Sequence, residues 1–244
     1  MLTTKTAIAL MGLAGLASVS GAAMIDLTTA GSSGTLNGAI FKTNTDQPTG
    51  TGVFQPFVRI QHNGTEEGYN TSGRPLPYDE VPSIWTHDVR VSDLGRTLVG
   101  GQVYFEFRLD INESNGGSNA LLSLDEVRIY TGGAGSLTTT NLASLGTLRY
   151  NLDSDADNWI KLNYDLGHGS GSGDMTMLIP EEALAGAAPT DYFYLYSAFG
   201  QNHSSGAGFE EWAARQGDDP NVVPAPGPFV VAGLGMLLIS KRRR

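Results

Sequence analysis

Gln102-Val103-Tyr104-Phe105-Glu106-Phe107-Arg108-Leu109-Asp110-Ile111 reads as a strand from end to end. Val103, Phe105, Phe107, Leu109 and Ile111 fall on one face; Gln102, Tyr104, Glu106, Arg108 and Asp110 fall on the other. A period of two puts successive side chains on opposite faces of an extended chain, whereas a helix would wrap the same residues around its surface. The pattern returns downstream, where Ile160, Leu162, Tyr164 and Leu166 alternate with Lys161, Asn163 and Asp165. Residues 191–199 (DYFYLYSAF) carry aromatics on both faces, as a strand covered on both sides does.

Working outward, shorter strands are predicted over 53–61, 85–91, 121–124, 127–130, 147–151 and 175–179. Turn-forming clusters separate them: Asn63-Gly64 and residues 114–118, 132–135 and 167–173. One short helix is predicted at 180–184, with Pro180 opening it, Glu181 and Glu182 in its first turn and Gly186 ending it. Many short strands with one minor helix give an all-β fold: a single β-sandwich or jelly-roll-like domain.

The chain carries 25 acidic residues and 15 basic ones, and every acid lies between Asp26 and Asp219. Five of the basic residues (Lys5, Lys241, Arg242, Arg243 and Arg244) belong to the terminal segments, so the body carries ten against 25, a net charge of −15. Such a surface repels phosphate backbones and favours cations, which excludes nucleic acid as a partner. Cysteine is absent, which excludes disulfides and thiolate metal sites.

The two ends read as processing segments. Lys5, the apolar run 7–19 and the small residues Ser20-Gly21-Ala22-Ala23 make residues 1–23 a signal peptide, cut by signal peptidase. The body is then 24–215. Residues 216–228 form a linker holding Val223-Pro224-Ala225-Pro226, and 229–244 join an apolar run (FVVAGLGMLLI) to Lys241-Arg242-Arg243-Arg244. A hydrophobic run followed at once by cations is a stop-transfer arrangement.

This tail resembles the PEP-CTERM sorting signal of bacteria that make an extracellular matrix. In that family a Val-Pro-Glu-Pro-like motif precedes an apolar helix and a terminal Arg cluster. Here Ala225 stands where the family most often has Glu. The resemblance covers about the last 22 residues. It implies sorting by an exosortase, a membrane-embedded cysteine protease, with the C-terminal helix as a transient membrane anchor. It implies nothing about the activity of the body.

Two acidic groups are candidate Ca²⁺ sites. Asp153, Asp155 and Asp157 alternate within one turn, the spacing by which EF-hand-type loops converge carboxylates on a cation, but Tyr164 stands where the bidentate Glu belongs. Asp110 and Asn112 at a strand end, with Asp125 about fifteen residues later, are the second set. The competing reading of both is a solvated polar turn. Catalytic signals are absent: the four His are scattered, and the Gly167–Gly173 loop has no nucleophile-elbow serine. Glu181-Glu182, Glu210-Glu211 and Asp218-Asp219 read as helix-start or solvated charges. Trp212 and Phe209 read either as a sugar-stacking pair or as core.

The sequence therefore points to an exported, non-enzymatic surface or matrix protein, Ca²⁺-stabilised and glycan-binding or adhesive. Its rivals are a polysaccharide-active enzyme on a jelly-roll scaffold and a subunit of a surface array.

Overall fold

The computed structural model describes residues 21–43, 54–167, 173–206, 208–219 and 222. The signal peptide up to residue 20, the motif Val223–Pro226 and the cluster Arg242–Arg244 lie outside them. In chain order the strands are β1 (Met24–Asp26), β2 (Ser33–Leu36), β3 (Ala39–Thr43), β4 (Phe54–Ile60), β5 (Glu66–Tyr69), β6 (Val89–Arg90) and β7 (Arg96–Val99). They continue with β8 (Gln102–Asp110), β9 (Leu121–Gly132), β10 (Thr147–Asn151), β11 (Trp159–Asn163), β12 (Met175–Pro180), β13 (Tyr192–Phe199) and β14 (Glu210–Arg215).

These strands form two seven-stranded sheets packed face to face, the all-β sandwich expected. The first runs β1-β11-β9-β13-β5, with β10 also on β9 and β6 also on β13. The second runs β2-β3-β12-β8-β14-β4, with β7 also on β8. Only β1 with β11 is parallel among the described pairings.

Alternation dictates the core. Phe105, Phe107 and Leu109 of β8 face Leu122, Leu124, Val127 and Ile129 of β9 and Phe193 and Leu195 of β13. The rings of Phe107 and Phe193 stack across the gap at 5.2 Å. Each such fully buried side chain contributes roughly 1.5–3 kcal/mol. Residues 191–199 are covered on both faces as predicted: Tyr194 and Tyr196 join Tyr69, Tyr130 and Leu145 in a second apolar cluster on the outer side of the first sheet.

Several expectations are corrected. Segments 121–124 and 127–130 are one strand, because a bulge at Asp125 lets the inward set switch from Leu122 and Leu124 to Val127 and Ile129. The strand expected over 85–91 reduces to Val89–Arg90. The short helix is a single 3-10 turn, Glu181–Leu184, four residues being too few for an α-helical ladder. Strands β1, β2, β3, β5 and β7 add to those predicted, and β14 realises the core reading of Trp212. The charged face of β8 is buried too, with Arg108 lying over the Phe54 ring at 4.0 Å and Glu106 taking Arg215 at 3.2 Å.

The linker starts as a strap rather than a solvated tail. Both Asp218 oxygens take the Arg96 guanidinium, at 3.0 and 2.6 Å, and the Asp219 amide donates to the Arg96 carbonyl at 2.7 Å. Chain direction sets the rest: β14 runs from the end of the sandwich that holds Ile60, Glu66 and Phe199 to the opposite end, where Arg96 receives the strap. The former end is called distal below.

Candidate functional site

Where β5 and β9 flank β13 at the distal end, a groove of about 300 Å³ opens on the rim of the first sheet. Glu67 and Glu126 stand in register on either side of Ala198. Strands lie about 4.8 Å apart, so the two carboxylates spring from backbones about 10 Å apart. Asp79, Asp125, Tyr196 and Gln201 complete the walls, and Glu66 and Phe199 reach the groove from the inter-sheet side.

Each group is held. The Tyr196 hydroxyl donates to Glu67. Burial, reinforced by the Glu67 carboxylate, raises the Tyr196 phenol far above its ordinary range, so it stays a donor. Asp79 accepts the Glu67 amide at 3.1 Å. Glu126 pairs with Arg128 at 2.7 Å, yet burial pushes its pKa up. A small groove with several fixed carboxylates and a phenol suits a polyhydroxylated ligand or a cation, and it rejects anions.

A larger cavity, of about 510 Å³, lies at the opposite end between Val91, Leu94, Phe105, Leu184 and Pro189. Two of its three acids are already paired, because Arg96 bridges Glu181 and Asp218 at 2.7 and 2.6 Å. The groove is therefore the better candidate despite its smaller volume.

The first predicted calcium set is drawn onto an asparagine. Asp153 accepts the Asn158 amide at 2.8 Å, and Asp155 accepts the Asn158 side chain at 2.8 Å and that of Asn37 at 3.2 Å. Asn158 is buried and ties the turn to Leu152 and to the Ala23 amide. Asp157 is exposed. Burial raises Asp153 to about 6, whereas the Asn158 and Asn37 side chains lower Asp155.

The second predicted set is split between the sheets. Asp110 faces outward on β8, on the opposite face from Leu109 and Ile111. Asn112 donates to the Phe209 carbonyl at 3.1 Å. Asp125, on the other sheet, clamps the 201–202 turn by accepting the Gln201 amide at 2.7 Å and the Asn202 side chain at 2.8 Å.

Trp212 is core: fully buried, with its indole N–H on Ser197 at 3.0 Å. Phe209 lies under the Arg59 guanidinium at 3.9 Å. The solvated reading of Glu210 and Glu211 is overturned, since both are buried and Glu211 pairs with Arg59 at 2.5 Å.

Comparison with known proteins finds no matching family model, no matching curated protein and no matching solved structure. Among the described residues no helix is long and apolar enough to cross a membrane.

Proposed function

We propose that the chain is an exported bacterial protein of the cell surface or extracellular matrix, whose sandwich is a non-enzymatic domain that binds a neutral glycan in the groove beside Tyr196. The observation that carries this reading is the placement of the groove. It opens at the distal end, while β14 delivers the chain to the opposite end, where Arg96 fastens the strap that leads to the sorting-like tail. A domain held through its C-terminus then presents the groove away from its attachment. Rigid carboxylates in register and a phenol fixed as a donor match the hydroxyls of a sugar, and the acidic walls turn away uronic acids and phosphates.

Export is tested by fractionating cells that produce the full chain. Surface exposure is expected, with retention in the membrane once residues 223–226 are replaced by Gly and Ser. Cytoplasmic accumulation of the unaltered chain would sink the reading. Glycan binding is tested by calorimetry of the full chain in mild detergent against neutral and anionic polysaccharides. Heat with the neutral ones alone, abolished by Glu67→Gln, is the expected result.

One observation favours a second reading. Glu67 and Glu126 face each other across Ala198, and burial raises Glu126. An acid with a raised pKa opposite a second carboxylate is the arrangement glycoside hydrolysis uses. New reducing ends released from a polysaccharide panel, and lost in Glu126→Gln, would replace the binding reading with the enzymatic one.

A further inference from the structure

Ala23 ends the segment that reads as a leader, yet the fold uses it. Its amide donates to the Asn158 side-chain oxygen at 2.9 Å, and its carbonyl accepts the Trp159 amide at 3.1 Å. From there Met24–Asp26 pairs in parallel with Trp159–Lys161 of β11, and Ile25 enters the core. Ala23 is half-buried, whereas Gly21 and Ala22 are exposed.

Small residues alone allow a leader to be cut after Ala22, with Ser20 two positions earlier, or after Ala23, with Gly21 in that place. Signal peptidase meets the chain during export, so the fold does not direct the enzyme. It decides instead which product keeps its bonds. Loss of Ala23 takes the acceptor from the Trp159 amide and the donor from the Asn158 oxygen, while loss of Ala22 breaks neither bond.

A cut after Ala22 also charges the bonded nitrogen. Water gives its oxygen to the Ala22 carbonyl carbon as the bond to the Ala23 nitrogen breaks. The leader departs as a carboxylate, and the nitrogen takes both of water's protons and becomes an ammonium. It meets an acidic turn: Asp153, Asp155 and Asp157 lie within residues 152–158, which hold no Lys or Arg. The Asn158 carboxamide accepts from Ala23 on its oxygen and donates to Asp155 from its nitrogen, the latter at 2.8 Å. An ammonium donates more strongly than an amide to the same oxygen, and it offsets the charge of the carboxylate beyond.

We infer that the leader is cut between Ala22 and Ala23, and that the new α-ammonium docks on Asn158 beside Asp155. The acidic turn is then the seat of the chain's own mature N-terminus. The cut rests on the proposed export, and neither the cut nor the docking depends on the glycan groove. The charge exists only once the leader is gone, so β1 is held more firmly in the exported chain than in its precursor.

The test uses the chain as cells export it, purified in mild detergent. N-terminal sequencing with intact mass is expected to give Ala23 as the first residue. A first residue of Gly21, Ala22 or Met24 would overturn the inference and leave export standing; a chain still beginning at Met1 would overturn both. The docking is tested by acetylating the α-amine alone at mildly acidic pH, where lysines stay protonated. Acetylation restores the neutral amide and removes only the charge, so the melt is expected to fall by about 2 °C. In Asp155→Asn that fall should shrink to nothing. Equal melts for the free and acetylated chains, or a fall kept in full by Asp155→Asn, would remove the docking.

Discussion

The Asp153–Asp157 turn and the Glu66–Glu113–Glu210 cluster are both acidic, and they resolve their charge in opposite ways. The aspartates lie within five residues of chain; Asp155 and Asp157 face water, and Asp153 and Asp155 each find Asn158. The glutamates come from residues far apart in the chain and are shut away from water; Glu66 and Glu210 share a hydrogen bond, the Asn112 amide donates to Glu210, and burial drives the Glu210 pKa up. The difference teaches that the cost of a carboxylate's charge grows from desolvation and from a neighbouring carboxyl, not from the number of acids in a stretch of sequence.

The contrast can be broken or sharpened by substitution. The largest effect is expected at the sealed cluster. Burial and the neighbouring Glu66 hold the Glu210 carboxyl well above its ordinary pKa, so Glu210→Gln should raise stability in urea at high pH, where the carboxyl would otherwise have to ionise, and change it little at about pH 4. A loss of stability at high pH would mean that the ionised carboxylate is well satisfied by its neighbours.

Next comes Asp174, which burial and the neighbouring Asp110 raise to about 8. A carboxyl with a raised folded pKa binds more protons folded than unfolded. Its contribution is full below about pH 4 and is lost as pH climbs through about 8. Asp174→Asn should therefore raise stability by roughly 2 kcal/mol at pH 8 and leave pH 4 nearly unchanged. A pH-independent difference between the two chains would refute this.

On the other side of the comparison, Asn158→Ala should cost about 1–2 kcal/mol by chemical denaturation, since its buried side chain holds Ala23, Leu152 and Asp155 together. The smallest effects belong to the aspartates themselves. Asp153→Asn should lift the melt by about a degree or two above pH 6, the same sign as Asp174 but over a narrower window and weakened by solvent. Asp157→Asn should leave the melting curve where it was. A large loss from Asp157→Asn would mark the turn as a cation site.

Much of the fold was legible because it rests on period two. Residues 102–111 and 191–199 announce a strand with one apolar face and a strand with two, and the core contains both. The sequence leaves β14 ambiguous, because Glu210-Glu211-Trp212 reads equally as an exposed stacking segment or as core; its inward set of Glu210, Trp212 and Ala214 emerges only when β4 and β8 fix its register. The bulge at Asp125 hid the continuity of β9 by switching which parity is apolar. The glutamate cluster could not be seen either, since nothing local marks Glu66, Glu113 and Glu210 as neighbours. One available signal was that adjacent Glu210 and Glu211 in a strand must point opposite ways, so that one of them faces the interior.

The placement of β14 has a mechanical consequence. It lies between β8 and β4 and continues directly into the residues fastened by Arg96. Tension drawn through that continuation acts along the strand, loading the hydrogen bonds of both neighbouring ladders in shear and all at once, rather than peeling them one by one. A domain hauled by its C-terminal side, by flow or by a moving neighbour, resists through its second sheet as a whole, and Arg96 is the first link to yield.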